Sequence, residues 1–505
     1  MNPFIERHQD QIAGVVSCFD RVIITGNLVE IGYAEAMAGY LSYRDIRLRD
    51  YPRWAEPLRE ELRHNAERLA AEGGLKIEHI RRYQAFRKEA RIKAILAERG
   101  EHPGLVHIFS AMESCAAYRF GYDRRTQRSH LRSTSGRCLH YYFYFIDEIF
   151  GLCYVRVPTW APFRLQVYFN GHNWLARRLE KAGIAFEMAD NAFLSIENPE
   201  RAQALADSLD AKQLHRRLDR WAKTFCPVVR HFRNGYHWSY MQVEYATDVI
   251  FQRQAQFQPL YEAVIRTAIH AVKADHVATF LGRKLTGAYP DEVGNDFSTR
   301  IQGTRIRHKM GRTSIKLYDK LGLIARVECT ANDVSFFKHH RWVEQRDGNR
   351  VWKLAPLRKS IYSLRDLRTL MKAANDRYLA FLASIDHPDA GLKAIDKLAK
   401  PAQNQGRSYR GFNLFLSDDY RLFLTLLRGE WSISGFRAAD LRAHLPNLLP
   451  ARLSHILKRL RTHGLIKKVA HRYKYYLTKL GRRVLATTLK IHDSILVPSL
   501  CSDNA

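Results

Sequence analysis

The chain has 505 residues and carries 81 lysines and arginines against 51 acidic residues, a formal net charge of +30. Positive charge of this size on a globular composition predicts a polyanionic partner, of which nucleic acid is the most common. Seven scattered cysteines without a C-x-x-C pair argue against a zinc ribbon and against a disulfide framework. No apolar run approaches the roughly 18 residues of a membrane span, so we expect no membrane association and a cytoplasmic, nucleoid-associated location.

The hydrophobic patterning predicts an α+β or α/β multidomain body followed by a small C-terminal domain. Residues 1–200 are predicted to form a mixed α/β basic domain. Residues 201–400 are predicted to be largely helical, with a β-hairpin unit at 300–355. The polar stretch 400–412 is predicted to be a linker, and residues 413–492 to be the C-terminal domain.

Acidic residues lie in and near the predicted strands of the body. Asp20 lies inside the first β unit, and Asp147 and Glu148 follow the aromatic strand 141–146. Glu244 and Asp248 are four residues apart in a segment predicted to be helical, where this spacing puts both side chains on one side. Phosphoryl transfer that depends on Mg²⁺ needs carboxylates that converge on the ion, so these residues are candidates for such a site.

This arrangement of carboxylates on two strands and a helix is similar to that of RNase H-like nucleases and transposases. The resemblance implies a catalytic set in which Asp20 and Asp147 are the metal ligands; the full set is Asp20, Asp147, Glu148, Glu244 and Asp248. The alternative is that strand-end aspartates are turn residues and that Asp20 is an ion-paired structural group. The polar segment 169–174 is a further candidate lining of a site, for which a capped loop is the alternative.

A second candidate site lies in the hairpin predicted at 313–318 and 324–330. Its pattern Y-D-K … R-x-E resembles a hairpin of some plasmid and filamentous-phage replication initiators. The resemblance implies that Tyr318 attacks a DNA phosphate while Glu328 helps to hold the metal. Arg326 and Glu328 are expected on one face of the strand, because they occupy alternate positions. The histidine-pair metal motif of such enzymes is not found beside the hairpin, and a structural hairpin with a surface ion pair is the alternative.

The C-terminal residues carry the most distinctive local pattern. Apolar residues recur at helical spacing at positions 453, 456, 457 and 460 and define one helix face. Gly464 follows, where a helix C-cap favours a residue that tolerates positive φ. Two short β-prone runs, 465–469 and 473–477, come next and are joined by a basic tip.

Residues 418–490 resemble the winged-helix domains of MarR-type transcriptional regulators, in the pattern L-x-x-L-x-x-x-G-L-I-x-K … Y-x-L-T-x-x-G-R. The resemblance implies that the helix before the glycine enters the major groove and that the wing contacts the backbone or the minor groove. The nucleic-acid contacts that it implies are Arg452, His455, Lys458, Arg459 and Arg461 in the helix, and Arg472 and Lys474 in the wing. Winged helices also serve as protein–protein or RNA-binding modules, which is the alternative.

The sequence leaves three functions open. The first is a mobile-element-type DNA- or RNA-processing protein with Mg²⁺ as cofactor, acting as a nuclease, a transposase or a replication-initiator-like strand transferase, with a winged helix for target binding. The second is a non-catalytic winged-helix transcriptional regulator, although such regulators are usually far smaller. The third is an RNA-binding component of a ribonucleoprotein, for which the mixture of tyrosine and arginine at 118–125 is suited. A homodimer is a further expectation, because winged-helix proteins often pair.

Overall fold

The computed structural model describes residues 2–81, 86–286, 289, 291–300, 303–385, 396–413, 416–428, 430–431, 435–446, 448–469, 473–492 and 496–497. The chain divides into two compact units, Met1–Asp386 and His387–Ala505. Each unit has a hydrophobic core of its own. Within the described residues, no helix is both long enough and apolar enough to cross a membrane.

The first unit alternates long strands with helices. Its strands are β1 (Ile12–Leu28), β2 (Ile77–Ile80), β3 (Gly104–Asp123), β4 (Arg128–Asp147), β5 (Gly151–Pro158), β6 (Leu165–Asn170), β7 (Phe186–Ala189), β8 (Ala192–Ile196), β9 (Tyr236–Phe251), β10 (Val293–Arg300), β11 (Gly303–Met310), β12 (Thr313–Lys320), β13 (Ile324–Ala331), β14 (Lys338–Glu344) and β15 (Arg350–Pro356). Its helices are α1 (Pro3–Arg7), α2 (Ala34–Tyr43), α3 (Tyr51–Glu72), α4 (Lys88–Arg99), α5 (Gly171–Ala182), α6 (Pro199–Ala206), α7 (Ala211–Phe225), α8 (Gln254–Ala271), α9 (Ala274–Phe280) and α10 (Leu364–Ile385).

One mixed sheet organises the first unit. Eleven strands are hydrogen-bonded in the order β10-β11-β12-β13-β9-β1-β6-β5-β4-β3-β2. β2 runs parallel to β3, while the other described ladders of the sheet are antiparallel. The unit is therefore α+β. Since strands from before and after residue 200 share this one sheet, the first 386 residues form one body, and the division that the sequence predicted at residue 200 is not present.

The centre of the sheet is where the candidate residues meet. β1 pairs with β9 from Val16↔Asp248 to Phe19↔Tyr245, and the register then shifts before Val22. Asp20 therefore lies in a β-bulge, the kind of irregularity that re-aims a side chain. The prediction of a helix around Glu244 and Asp248 was wrong, because this segment is β9, whose aromatic and β-branched residues favour a strand.

Two helices cover this centre from opposite faces. Asn375 of α10 donates to Thr247 Oγ1 at 3.1 Å on one face. Asp248 is the next residue and so points to the other face, where His172 of α5 lies 3.4 Å from it. The contact between α5 and β1 is so close that a Cβ atom on Gly171 would lie 2.0 Å from the main-chain oxygen of Phe19. Glycine at this position therefore allows α5 to reach the polar centre of the sheet.

The second unit is smaller and mostly helical. Its described elements are β16 (Ala402–Asn404), β17 (Arg407–Tyr409), α11 (Ser417–Leu426), α12 (Ala438–His444), α13 (Pro450–Thr462), β18 (Ile466–Val469), β19 (Lys474–Leu477) and α14 (Lys479–Ile491). Gly464 follows α13 with a φ of +71°, as its position in the sequence predicted. The stretch 400–412 differs from the expected linker, because it contains β16 and β17 and buries Tyr409 and Phe412.

Candidate metal centre

Three carboxylates from three neighbouring strands converge on one face of the central sheet. They are Asp20 of β1, Glu244 of β9 and Glu328 of β13, called here the acidic trio. One oxygen atom from each of the three carboxylates lies within 4.8 Å of the corresponding atoms of the other two. The strand order β13-β9-β1 brings together residues that are more than 300 positions apart in the sequence.

Lys316 and Tyr318 of β12 line the same side of the trio. Lys316 Nζ lies 2.5 Å from Glu328 Oε1 and 3.4 Å from Glu244 Oε1. The hydroxyl of Tyr318 donates to Glu328 Oε2 at 2.7 Å. These contacts follow from the hairpin register, in which Lys316 lies directly opposite Glu328. An ammonium group thus already bridges two members of the trio.

A buried arginine separates the trio from a fourth carboxylate. Arg326 donates from Nε to Asp248 Oδ1 at 2.6 Å and from Nη2 to Asp248 Oδ2 at 2.7 Å. Its Nη1 lies 3.5 Å from Asp20 Oδ2, and both Arg326 and Asp248 are fully buried. A bidentate guanidinium–carboxylate pair of this kind satisfies Asp248, so Asp248 is a structural partner of Arg326 and not a member of the trio.

Two amides and a histidine orient Asp20. Asn170 and Asn191 donate to Asp20 Oδ1 at 2.8 and 2.7 Å. His172 Nδ1 lies 3.3 Å from the same oxygen. Asn170 also caps α5 by accepting from the main-chain NH of His172. The polar segment 169–174, which the sequence marked as a candidate lining, therefore supplies residues that hold the first member of the trio.

The surroundings lower the pKa of one member of the trio and raise that of another. Burial raises the pKa of Asp20, but His172 and Arg326 outweigh burial and hold that pKa well below its usual value. Burial and the charge of Glu328 raise the pKa of Glu244, and Lys316 opposes them only in part. The same carboxylates raise the pKa of Lys316 against the effect of its own burial. The ionised form of Glu244 is therefore less favourable in the folded protein than in water.

The trio is at the border between the core and solvent. The side chain of Glu328 is 2% exposed, whereas those of Glu244 and Lys316 are 15% and 17% exposed. Carboxylate oxygens are the ligands that Mg²⁺ and Mn²⁺ prefer, and such ions keep several waters of their own. The three carboxylates could together hold a divalent cation of this class, which solvent would reach past Glu244, the most exposed of the three.

Asp147 and Glu148 do not join the other predicted carboxylates. Asp147 accepts from the main-chain NH groups of Ile149 and Phe150 and from Trp221 Nε1, so it caps a turn at the end of β4. β4 is three strand positions from β1, roughly 14 Å at ordinary strand spacing. Glu148 is exposed in the same turn. Asp147 is therefore a turn residue at the end of its strand, as the alternative interpretation of the sequence proposed.

The residues expected to contact nucleic acid in the second unit fall into two groups. Arg452, His455, Lys458 and Arg461 are exposed on α13. Arg459 is buried, with its Nη1 and Nη2 each 3.0 Å from an oxygen of Asp419 and its guanidinium over the ring of Phe412. The prediction that Arg459 contacts nucleic acid was therefore wrong. Lys474 lies at the start of β19, half-buried, and Arg472 is outside the described residues.

Sequence reasoning missed the groups that hold the site together. Lys316 was not a candidate, His172 was considered only as part of the polar segment 169–174, and Arg326 only as the strand neighbour of Glu328. A signal was present in the spacing, since Lys316 and Tyr318 alternate on β12 as Arg326 and Glu328 do on β13. Comparison of this chain with family models, with curated proteins and with solved structures finds no match.

Proposed function

We propose that the protein is a nucleic-acid-processing enzyme, of the kind that mobile elements use, whose acidic trio holds a divalent cation for phosphodiester cleavage or transfer. The observation that carries the proposal is the convergence of three carboxylates within 4.8 Å of one another in a chain with a net charge of +30. A strongly basic protein attracts a polyanion, while an acidic point on it repels a phosphate unless a cation is present. Mg²⁺ resolves that conflict and is itself the usual catalyst for phosphoryl transfer.

The surroundings of the trio support a cation rather than a purely structural ion pair. Lys316 is a point charge on a flexible stem, so its ammonium group can move aside for Mg²⁺ and then contact a phosphate. Burial and the charge of Glu328 raise the pKa of Glu244, and a divalent cation bound beside this carboxylate would oppose both effects. Arg326 and the two asparagines hold Asp20 in place.

The second unit supports the nucleic-acid part of the proposal. Its described helices and strands along 417–491 come in the order helix, helix, helix, hairpin, helix, which agrees with the order of a winged helix. Exposed basic residues on α13 precede the hairpin, as they do on the recognition helix of such domains. We propose that Lys458 and Arg461 contact the target duplex.

A conservative set of variants tests the metal centre. We expect Asp20→Asn and Glu328→Gln to lower the affinity for Mn²⁺ by more than about 10-fold, the loss that even second-shell changes cause, and to abolish Mg²⁺-dependent cleavage of labelled DNA. Asp147→Asn is the matched control and should behave as the unmodified protein. Manganese binding can be followed by electron paramagnetic resonance and cleavage on denaturing gels. Equal manganese binding by all three variants would show that the trio is not a metal site.

The position of Tyr318 favours a second candidate, strand transfer through a covalent intermediate. Its hydroxyl touches Glu328, so a cation held by the trio would lie beside the phenol. The tyrosine oxygen would form the bond to phosphorus, and the displaced nucleotide oxygen would leave with a proton. Tyr318→Phe should then abolish a DNA adduct that survives denaturation. If the variant keeps full activity and no adduct forms, hydrolysis by water is the reaction. Binding without any cleavage would instead favour the non-catalytic regulator or the ribonucleoprotein component.

A further inference from the structure

We infer that the long hairpin of β3 and β4 is a DNA-binding arm that inserts into the major groove of a B-form duplex. The arm consists of residues 112–123 and 128–139, joined by the turn 124–127. β2 pairs with β3 only as far as Ala111, and β5 pairs with β4 only from His140 onward. The two strands of the arm therefore have only each other as described ladder partners, over a length of roughly 36 Å at ordinary strand rise.

The arm is anchored through one face, and the outer part of its other face carries exposed basic side chains. Tyr118 and Leu131 share the first face and are buried in the main core of the unit. Opposite residues of a hairpin share a face, so Arg119, Arg132 and His130 lie together on the second face. Beyond the anchored part, Phe120 and Tyr122 are 41% and 55% exposed near the tip. The arm thus has a basic second face, while the tip of its first face carries two exposed aromatic rings.

The arm carries six arginines but only two acidic residues, so its own carboxylates do not balance its positive charge. Its six arginines (Arg119, Arg124, Arg125, Arg128, Arg132 and Arg137) are all exposed. In the part of the chain that the structure describes, none of these six forms an ion pair with a carboxylate. The two acidic residues of the arm have other partners: Asp123 accepts from main-chain NH groups of the turn, and Glu113 is ion-paired to Arg156.

Two arginines that face each other across the hairpin favour the binding of an anionic partner. Arg119 lies directly opposite Arg132 in the ladder. Like charges at directly opposite positions destabilise a strand pair, so this arrangement carries a cost in the unbound protein. Phosphate groups that approach the face would remove that cost.

The shape of the arm selects the kind of nucleic acid. A two-stranded ribbon fits the major groove of B-form DNA, which is about 12 Å wide, and arginine is the residue that most often reads guanine there. The major groove of an RNA duplex is deep and narrow and excludes such a ribbon. We therefore assign double-stranded DNA as the ligand of the arm. The inference goes beyond the proposed function, since it involves neither the acidic trio nor the second unit.

The test measures binding of the full chain to a fluorescein-labelled DNA duplex by fluorescence anisotropy over a range of salt concentrations. EDTA is present so that cleavage does not interfere. The variant is Arg119→Gln, Arg128→Gln and Arg132→Gln combined. We expect the slope of log affinity against log salt to become shallower by about 2 to 3, because each lost phosphate contact removes about 0.9. At physiological salt the affinity should fall by at least about 10-fold.

A matched control separates the arm from total charge. Arg63, Arg68 and Arg177 are each ion-paired to a carboxylate of their own helix. Changing these three to glutamine lowers the net charge equally and should leave the salt slope unchanged. A second arm variant, Arg124→Gln with Arg125→Gln in the exposed turn, covers the case in which the first does not fold. The inference is overturned if the arm variants retain the slope of the control, or if an RNA duplex of the same sequence binds as tightly and loses as much.

Discussion

The guanidinium of Arg326 links the candidate site to the stability of the sheet, because it contacts a carboxylate of each. It is fully buried and neutralises Asp248 through two hydrogen bonds while lying 3.5 Å from Asp20. Removing one partner of a buried ion pair leaves an uncompensated charge, which typically costs about 3 to 5 kcal/mol. We expect Arg326→Met to lower the free energy of unfolding by about that amount, measured by chemical denaturation at neutral pH.

The reference for this measurement is the double variant Arg326→Met with Asp248→Leu. Replacing both partners with apolar residues removes the stranded charge, so the double variant should be more stable than the single one. A double variant that is less stable than Arg326→Met would contradict the interpretation that the loss comes from an unpaired Asp248.

Glu244 is expected to destabilise the protein at neutral pH. Burial and Glu328 raise its pKa in the folded state above the ordinary value of 4.5. The folded state therefore holds the proton more tightly, so the ionised form costs stability above the folded pKa, and this cost disappears as the pH falls below about 4.5. Glu244→Gln should raise the melting temperature at pH 8 and leave it unchanged near pH 4.

The exposed Glu148→Gln serves as the control and should show no such pH dependence. The same measurement with Mg²⁺ added bears on the metal centre, because a bound cation would compensate Glu244 in the unmodified protein. The advantage of Glu244→Gln should then shrink at pH 8. An equal advantage at both pH values would show that the ionisation of Glu244 is not its cause.

Gly171 is required by the close approach of α5 to β1. A Cβ atom there would collide with the main-chain oxygen of Phe19, and overpacking of this kind typically costs about 1 to 3 kcal/mol. We expect Gly171→Ala to lower the free energy of unfolding accordingly. Gly39→Ala is the matched control within α2, where nothing lies within 4 Å, and should stabilise the protein by up to about 1 kcal/mol through helix propensity. Equal effects of the two changes would disprove the steric argument.

At the level of single elements, two adjacent basic residues of α13 are expected to have different roles, one in stability and one in binding. Arg459 is buried against Asp419 and Phe412, whereas Lys458 is exposed. Arg459→Ala should destabilise the second unit by about 3 kcal/mol or more, seen as faster limited proteolysis of residues 396–492. Lys458→Ala should leave proteolysis unchanged and weaken DNA binding, with a salt slope shallower by about 1. A Lys458→Ala protein that binds DNA normally would exclude this face of α13 as the contact surface.

The local sequence pattern predicted some elements correctly. Where it predicted others wrongly, the error has a physical reason. The hairpin at 313–330 was predicted almost to its ends, since the alternation and the turn at Leu321-Gly322 are both local signals. The segment with Glu244 and Asp248 was mistaken for a helix because residues four apart share a face in a helix and in a strand alike. Arg459 was mistaken for a contact residue because its partner Asp419 lies 40 residues earlier.

The acidic trio shows the corresponding limit for the site. Asp20, Glu244 and Glu328 were each predicted to be candidates, but in two separate sites, one with Asp147 and one with Tyr318. Which strands become neighbours depends on pairings across hundreds of residues, and no local signal in one sequence specifies them. The structure merges the two predicted sites into one and removes Asp147 from it.

At the scale of the whole molecule, the order of strands in the sheet determines which fragments can fold. β1 is hydrogen-bonded to β6 on one side and to β9 on the other, and β13 follows β9. We expect a fragment of residues 1–235 to lack a cooperative urea transition, because it has one long edge of β1 without its partner. The fragment of residues 1–386 should unfold cooperatively, with both followed by tryptophan fluorescence. A cooperative transition in the shorter fragment would contradict this view of the sheet.

The same strand order has a consequence for the protein during its synthesis. Asp20 is among the first residues translated, and Glu328 follows after roughly 300 more, a delay of about 15 to 60 s at ordinary elongation rates. Until β13 emerges, the growing chain has no complete acidic trio. On the function proposed above, the growing chain therefore cannot form the metal centre until β13 has been made, so the trio can act only after most of the chain has been synthesised.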